Sequence, residues 1–320
     1  MTELQKLLKQ NFPDLNFEFD YNLAAHSYYK IGGPAEVFIK LKEKNKIIEL
    51  IKFCRQNDLK LTILGEASNV LISDEGISGL VLTIANDKIS DKKEIIDNKF
   101  LLKVGAGVKM STLVRKSVEL GLTGLEYFFS VPGTLGGAVY NNSHYQKFLI
   151  GDYIKNVLVI DQKGDLLILE KKDCNFAYDQ SRFQKTKEII LEAEFILEVG
   201  NEVQSKQLIK ESTQYRLETQ PLGLPSCGCI FQNVENNDNL RKLFPQFKDK
   251  EYISAGFLID QAGLKGLKIG DVEVSTKHAA FFVNQGTGKA SDVIKLIKQV
   301  KQQVKDKFGI ELKEEVVYLS

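Results

Sequence analysis

The stretch best suited to holding a ligand is Leu64-Gly65-Glu66-Ala67-Ser68-Asn69-Val70-Leu71. Its middle is small and polar, which leaves main-chain N–H groups open to an anion such as a phosphate. The residues on either side, Leu59–Leu64 and Val70–Ser73, are apolar runs that read as strands, and Lys46–Asn57 before them has helical spacing. The order is helix, strand, loop, strand. A dinucleotide-binding Rossmann unit runs instead from strand through glycine loop into a helix, whose N-terminus holds the pyrophosphate. Here a phosphate must be cradled by N–H groups of the loop itself. That points away from NAD as the resident cofactor.

A second loop of the same character is Ser130-Val131-Pro132-Gly133-Thr134-Leu135-Gly136-Gly137-Ala138. Pro132 fixes its own φ, and the glycines permit close approach of backbone to ligand. Either loop taken singly reads as an ordinary tight turn. Two of them, each wedged between apolar segments, favour a large ligand held by main chain.

Reactive side chains are fewer. Cys229 follows Gly228 in a loop and precedes Ile230-Phe231. A thiol so placed serves as nucleophile, redox centre or proton donor, or is a small buried hydrophobe, the commoner fate of a free cysteine. Glu315, near the C-terminus, is a general acid, an anchor, or one solvent-facing residue of an alternating strand. Asp260, Lys277 and His278 are ligand contacts, or caps and surface. Arg182 and Arg216 offer the planar fork that binds carboxylate or phosphate, or exposed ion pairs of little worth. The three histidines lie far apart, and Cys227-Gly228-Cys229 has no second close pair to complete a tetrahedral site, so no metal centre is expected.

These groups need a scaffold. Residues 1–20 hold a short amphipathic helix and a turn. Ala35–Leu41 and Gly79–Ile84 read as further strands, closing an α/β unit near residue 85. Asn86–Asn98 is a polar hairpin or linker. Phe100–Val104 is a strand, and Met110–Leu120 a helix stopped by Gly121. Tyr153–Asp161 and Leu166–Glu170 form a hairpin about Gln162-Lys163-Gly164-Asp165. Glu188–Leu197 completes a second α/β unit near Gly200. Lys206–Arg216 is helical, Asn236–Glu251 is polar and exposed, and residues 252–285 mix short elements. The last helix has Ser291 as N-cap, with Val293, Leu296, Ile297, Val300, Val304 and Phe308 on one face. Gly309 ends it, and Ile310–Leu319 is a terminal strand.

The 320 residues, 43% hydrophobic and 27% charged, suit a protein of two or three domains, and a net charge of +1 gives no electrostatic case for nucleic acid or a membrane surface. No segment reads as a signal peptide or spans a bilayer. The expectation is a cytoplasmic protein with reduced cysteines.

Taken in order, the segments resemble the UDP-N-acetylenolpyruvoylglucosamine reductase family from Tyr28 to Tyr318. The carriers are Ile31-Gly32-Gly33-Pro34-Ala35, the two loops, Gly124-Leu125-Glu126, Arg216 with Gln220-Pro221, and Gly228-Cys229-Ile230-Phe231. They continue with Ala255-Gly256-Phe257-Leu258-Ile259-Asp260, Gly263-Leu264-Lys265-Gly266, Val274-Ser275-Thr276-Lys277-His278-Ala279, Phe308-Gly309-Ile310-Glu311-Leu312 and Glu315-Val316. The resemblance implies a mixed α/β and α+β chain: a vanillyl-alcohol-oxidase-type FAD-binding fold of two subdomains, 1–85 and 86–200, and a substrate-binding domain, 201–320, whose C-terminal strand returns to the active site. The short stretch between Phe183 and Tyr215 has no room for the extra tyrosine-bearing loop of one subgroup, so the chain is more similar to type II members.

The implied reaction is reduction of UDP-N-acetylglucosamine enolpyruvate by NADPH through non-covalent FAD, in peptidoglycan precursor synthesis, with a UDP-sugar as the partner and a monomer as the working unit. Hydride goes to C3 of the enolpyruvyl group and a proton to C2. Gly65, Glu66, Ala67, Ser68, Asn69, Pro132, Gly133, Thr134, Gly136, Gly137, Ala138 and Arg216 are implied for FAD. Tyr178, Ser181, Lys265, Lys277 and His278 are implied for substrate. Cys229 stands where the family has a proton-donating serine. Thiols titrate near 8.5 when unperturbed, so Cys229 is the expected donor. Glu315 matches the glutamate that assists the enolic intermediate. The family's carboxylate-binding arginine is absent: Tyr178-Asp179-Gln180-Ser181 carries Asp179 there, and Arg182 is expected to reach in instead. Ala67 replaces a glycine, asking for a conformation alanine can adopt, and Asn142-Ser143-His144-Tyr145 is an altered family loop. Two alternatives are a flavin oxidase of the same fold, for which Asp179 is the best support, and a non-catalytic FAD- or UDP-sugar-binding homologue.

Overall fold

The computed structural model describes residues 1–90, 95–96 and 99–320. They form two units. The first comprises Met1–Tyr21, Ala35–Glu66 and Ser78–Arg216, and the second Asn22–Pro34, Ala67–Ile77 and Leu217–Ser320.

The first unit is built on two larger sheets, beside a small two-stranded one of His144–Tyr145 and Phe148–Leu149. One runs in the order Glu18–Asn22, Pro34–Leu41, Ile77–Ile84, Leu61–Ile63, with Leu61–Ile63 parallel to Leu80–Leu82. The helix Lys44–Gln56 buries Ile47, Leu50, Ile51 and Cys54, a three-and-four spacing that makes one apolar stripe. The other sheet is antiparallel, in the order Leu166–Glu170, Ile154–Ile160, Ile189–Val199, Lys99–Gly105, Ile95–Ile96, with Leu122–Thr123 also on Ile189–Val199. Along Ile189–Val199, buried Leu191, Ala193, Phe195 and Leu197 alternate with Glu192, Glu194, Ile196 and Glu198, the period of a strand with one face on the core. Phe195 lies opposite Leu102, and Ala193 opposite Val104. The turn at Gln162–Asp165 closes the hairpin with Ile160 opposite Leu166, and Gly164 takes the required positive φ of 88°. Of the polar stretch Asn86–Asn98, residues 91–94 and 97–98 lie outside the described residues. Ile95 and Ile96 pair with Phe100 and Lys99.

The second unit is organised by its last helix, Ala290–Phe308, which buries Val293, Leu296, Ile297, Val300, Val304 and Phe308 against Leu258, Ile259, Val272, Val274 and Phe282. Three details depart from the sequence reading. The helix begins at Ala290, and Ser291 is not its cap. The Asp74 carboxylate accepts the N–H groups of Ala290 (2.7 Å) and Ser291 (3.0 Å), so a group 216 residues away does what a local hydroxyl was expected to do. The C-terminal strand is confined to Val317–Leu319, parallel to Val70–Ile72. The stretch Asn236–Glu251 is not uniformly exposed: Asn236 and Leu240 are buried, and the Asn236 amide donates to the carbonyls of Phe247 (2.7 Å) and Lys250 (2.8 Å). Those bonds satisfy carbonyls of the returning chain and let a polar segment fold over the core. Among the described residues, no helix is long and apolar enough to cross a membrane.

Candidate active site

In the first unit the two loops are fixed by backbone bonds. Gly136 N–H donates to the Ala106 carbonyl and Leu135 N–H to the Val108 carbonyl, both at 2.8 Å, and Met110 N–H donates to Gly133 at 3.1 Å. A Cβ on Gly136 would lie 3.1 Å from the Ala106 Cβ, and one on Gly65 2.9 Å from the Thr134 hydroxyl. Glycine at 65 therefore lets the first loop approach Thr134 of the second. Gly137 is different. Nothing lies within 4 Å of the point where its Cβ would stand, and the residue is exposed.

Three further groups line this region. Ser130 Oγ is buried and has no hydrogen-bond partner among the described residues. Arg216, on the helix Glu202–Thr219, is buried and donates Nη1 to the Ser130 carbonyl at 2.6 Å. Glu66 pairs with Lys109 at 2.5 Å. Bare glycine main chain, an orphaned hydroxyl and a buried guanidinium beside the same loop fit an anionic dinucleotide.

The Tyr178–Ser181 turn is also in this unit. Ala177 and Gln180 exchange both backbone bonds at 3.0 Å, which puts Asp179 at the corner with φ 52°. Ser181 Oγ donates to the Tyr140 carbonyl at 2.6 Å, and Tyr178 packs its ring on His144 at 4.6 Å. Asp179 Oδ1 lies 3.0 Å from His144 Nδ1. Arg182 is engaged within the same turn. Its Nε and Nη2 form a fork on Glu188 at 3.0 and 2.8 Å, and Nη1 donates to the Asp173 carbonyl at 3.1 Å. Glu188 is buried, so the guanidinium is its countercharge.

The second unit brings Cys229 and Glu315 together through backbone. Ile230 N–H donates to the Ala280 carbonyl and Glu315 N–H to the Ile230 carbonyl, both at 2.8 Å, while Cys229 bridges Phe281. Cys229 is half-buried. Val317 N–H donates to the Asn69 carbonyl at 3.1 Å, and the Asn69 amide reaches the Glu315 carbonyl at 3.5 Å. The nearest atom to a Cβ built on Gly228 is the Ser68 carbonyl, at 4.0 Å. Ala67, Ser68 and Asn69 thus lie in the same unit as the thiol and the carboxylate, and Ala67 holds φ 53°, a left-handed conformation that alanine adopts under strain.

Neighbouring groups are engaged elsewhere. Burial pushes the Cys227 thiol far up, with the Glu315 charge adding to it. Glu314 bonds Lys301 (2.7 Å) and Tyr318 (2.6 Å). Burial alone would raise its carboxyl, but those two bonds outweigh it and hold it below the usual range.

Lys265 pairs with Asp260 at 2.8 Å, and Lys277 Nζ donates to the Leu217 carbonyl at 2.5 Å. His278 is held neutral chiefly by burial, with the Lys265 charge acting in the same direction, and its Nδ1 accepts the Ala280 N–H at 3.3 Å. A side chain on Gly256 would press on the imidazole Cε1 at 3.1 Å, so glycine there makes room for the ring. Sequence reasoning did not single out His144 or Ser130 as functional residues. The acidic residue in a motif position at 179 was a signal that some base must answer it, but not which one.

Residues 220–319 match the family model for the C-terminal domain of UDP-N-acetylenolpyruvoylglucosamine reductase, and residues 35–170 match an FAD-binding domain. A UDP-N-acetylenolpyruvoylglucosamine reductase of Lachnoclostridium phytofermentans is 36% identical over 92% of this chain and 90% of its own. One of Staphylococcus aureus strain COL is 34% identical over 98% and 95%. The crystal structure of the reductase from Thermus caldophilus superposes with a TM-score of 0.75 at 27% identity, covering 96% of this chain and 99% of that one. The chain belongs to the UDP-N-acetylenolpyruvoylglucosamine reductase family of FAD-dependent oxidoreductases.

Proposed function

We propose that this chain reduces UDP-N-acetylglucosamine enolpyruvate to UDP-N-acetylmuramate at the expense of NADPH. The observation that carries the proposal is the bond from Glu315 N–H to the Ile230 carbonyl, at 2.8 Å. It sets two groups far apart in sequence, a thiol and a carboxylate, on adjoining backbone.

Gly65, Glu66, Pro132, Gly133, Thr134, Gly136, Gly137, Ala138 and Arg216 are the residues of the first unit assigned to hold FAD, with Ala67, Ser68 and Asn69 completing the loop. FAD, when bound, supplies hydride chemistry by relaying to substrate the hydride it takes from NADPH. The protein's own work begins with the charge left at C2 of the enolpyruvyl group. The Cys229 Sγ–H bond breaks as the C2–H bond forms, and solvent returns a proton to the thiolate. Glu315 assists the enolic intermediate. Tyr178, Ser181, Lys265, Lys277 and His278 orient the UDP-sugar. In this reading residues 1–85 and 86–200 serve FAD, and residues 201–320 serve the substrate. The protein works as a cytoplasmic monomer in peptidoglycan precursor synthesis, hence in cell-wall growth and division, and does not bind nucleic acid.

Steady-state NADPH oxidation with mass analysis of the product tests this. The expected product carries two hydrogens more than the enolpyruvyl substrate. Oxidation of NADPH without that product contradicts the proposal.

A further inference from the structure

His144 and Asp179 form a dyad that the reaction above does not use. Asp179 is 8% exposed at its side chain and His144 21%. Oδ1 of Asp179 meets Nδ1 of His144 at 3.0 Å, whereas Oδ2 is buried without a hydrogen-bond partner. The Oδ1 contact is the hydrogen bond the Asp179 side chain has among the described residues, and it fixes which ring nitrogen faces the carboxyl group. Nδ1 is then committed to Asp179, and Nε2 is the ring nitrogen left for a ligand. Among the described residues Nε2 has no acceptor.

The dyad is held rigidly. The Tyr178 ring lies on the imidazole at 4.6 Å. Asn142 ties the chain just before His144 to the chain just before Asp179, donating from its amide to the Ala177 carbonyl (2.7 Å) and accepting from Gly151 N–H (2.9 Å). Asn142 and Asp179 both hold left-handed backbone, at φ 49° and 52°. Conformations of this kind persist where surrounding bonds over-determine them.

We propose that this is an anion-binding dyad. His144 presents Nε2–H to an anionic oxygen of the substrate, and Asp179 is the positioning residue that orients the ring. The proposal rests on the reductase reading, in which the substrate carries two such groups, the enolpyruvyl carboxylate and the diphosphate.

The test uses the FAD-loaded protein with His144→Gln and Asp179→Asn. Flavin reduction by NADPH checks that each variant is folded and loaded. The KM for UDP-N-acetylglucosamine enolpyruvate is expected to rise about tenfold to a hundredfold, the loss of one charge-assisted hydrogen bond, with kcat changed far less. Calorimetric titration with UDP separates the two sources. Unchanged UDP affinity beside a raised KM assigns the carboxylate, and a parallel loss assigns the diphosphate. Unchanged KM and unchanged UDP affinity in both variants overturn the dyad while leaving the reductase reading in place. Failure of the unaltered protein to reduce the substrate overturns that reading, and the dyad with it.

Discussion

Glu315 is registered against Cys229 by main chain: its N–H bonds the carbonyl of Ile230, the residue next to the thiol, at 2.8 Å. Backbone registration fixes the two residues more firmly than side-chain contact alone. It also explains why the terminal segment 310–316, irregular between the last helix and the strand Val317–Leu319, is held in place. A second bond, from Gln232 N–H to the Lys313 carbonyl at 2.9 Å, extends the same register.

Cys229→Ala is expected to leave NADPH-driven flavin reduction intact and to slow reoxidation by substrate about a hundredfold to ten-thousandfold, the usual worth of a positioned general acid. Stopped-flow absorbance of the flavin measures each half separately. Reoxidation at the unaltered rate would remove Cys229 from the role of proton donor.

Arg182→Ala is expected to act on stability. It strands Glu188, whose side chain is 6% exposed and also accepts from the Thr186 hydroxyl at 2.7 Å. Breaking such a pair costs about 3 kcal/mol. Replacing both partners, as in Arg182→Met with Glu188→Leu, should recover most of that loss. Denaturant titration of the two variants decides the point, and a large rise in KM at unchanged stability would return Arg182 to substrate binding.

Ala67→Gly relieves a left-handed alanine at φ 53°. The strain released is about 1–2 kcal/mol, against about 0.5–1 kcal/mol for the added freedom of the unfolded chain. A small gain in stability is expected in thermal unfolding. A clear loss would mean that the buried methyl group contributes more than its strain costs.

His278 gives the fold a dependence on pH. Its imidazole titrates below 6.5 in the folded chain, chiefly because it is buried. The unfolded chain therefore takes up the proton first as pH falls. The stabilising contribution is complete above about 6.5 and is lost as pH falls through the lowered folded value. Stability measured from about pH 8 down to pH 5 should fall more steeply for the unaltered protein than for His278→Gln. Equal slopes would assign the acid sensitivity elsewhere.

What the sequence made legible was local. The face of Ala290–Phe308 follows from a spacing of three and four, and the hairpin at Gln162–Asp165 from turn residues between apolar runs. Cys229 and Glu315 were visible as residue types in motif positions. The bonds that set their surroundings were not. Asp74 caps a helix 216 residues away, and His144 answers Asp179 from 35 residues away. Periodicity carries no record of such pairs, because each partner alone obeys the pattern of its own segment. The partner of Arg182 was hidden for the same reason: Glu188, six residues on, read as the start of a strand, and the ion pair appears once the turn folds back.

The most direct measurement is anaerobic. The FAD-loaded protein is reduced with NADPH, UDP-N-acetylglucosamine enolpyruvate is added, and the flavin absorbance is followed. Rapid reoxidation with one equivalent of substrate is the predicted result. A flavin that NADPH reduces but the substrate leaves reduced would contradict the assignment of this chain to that reaction.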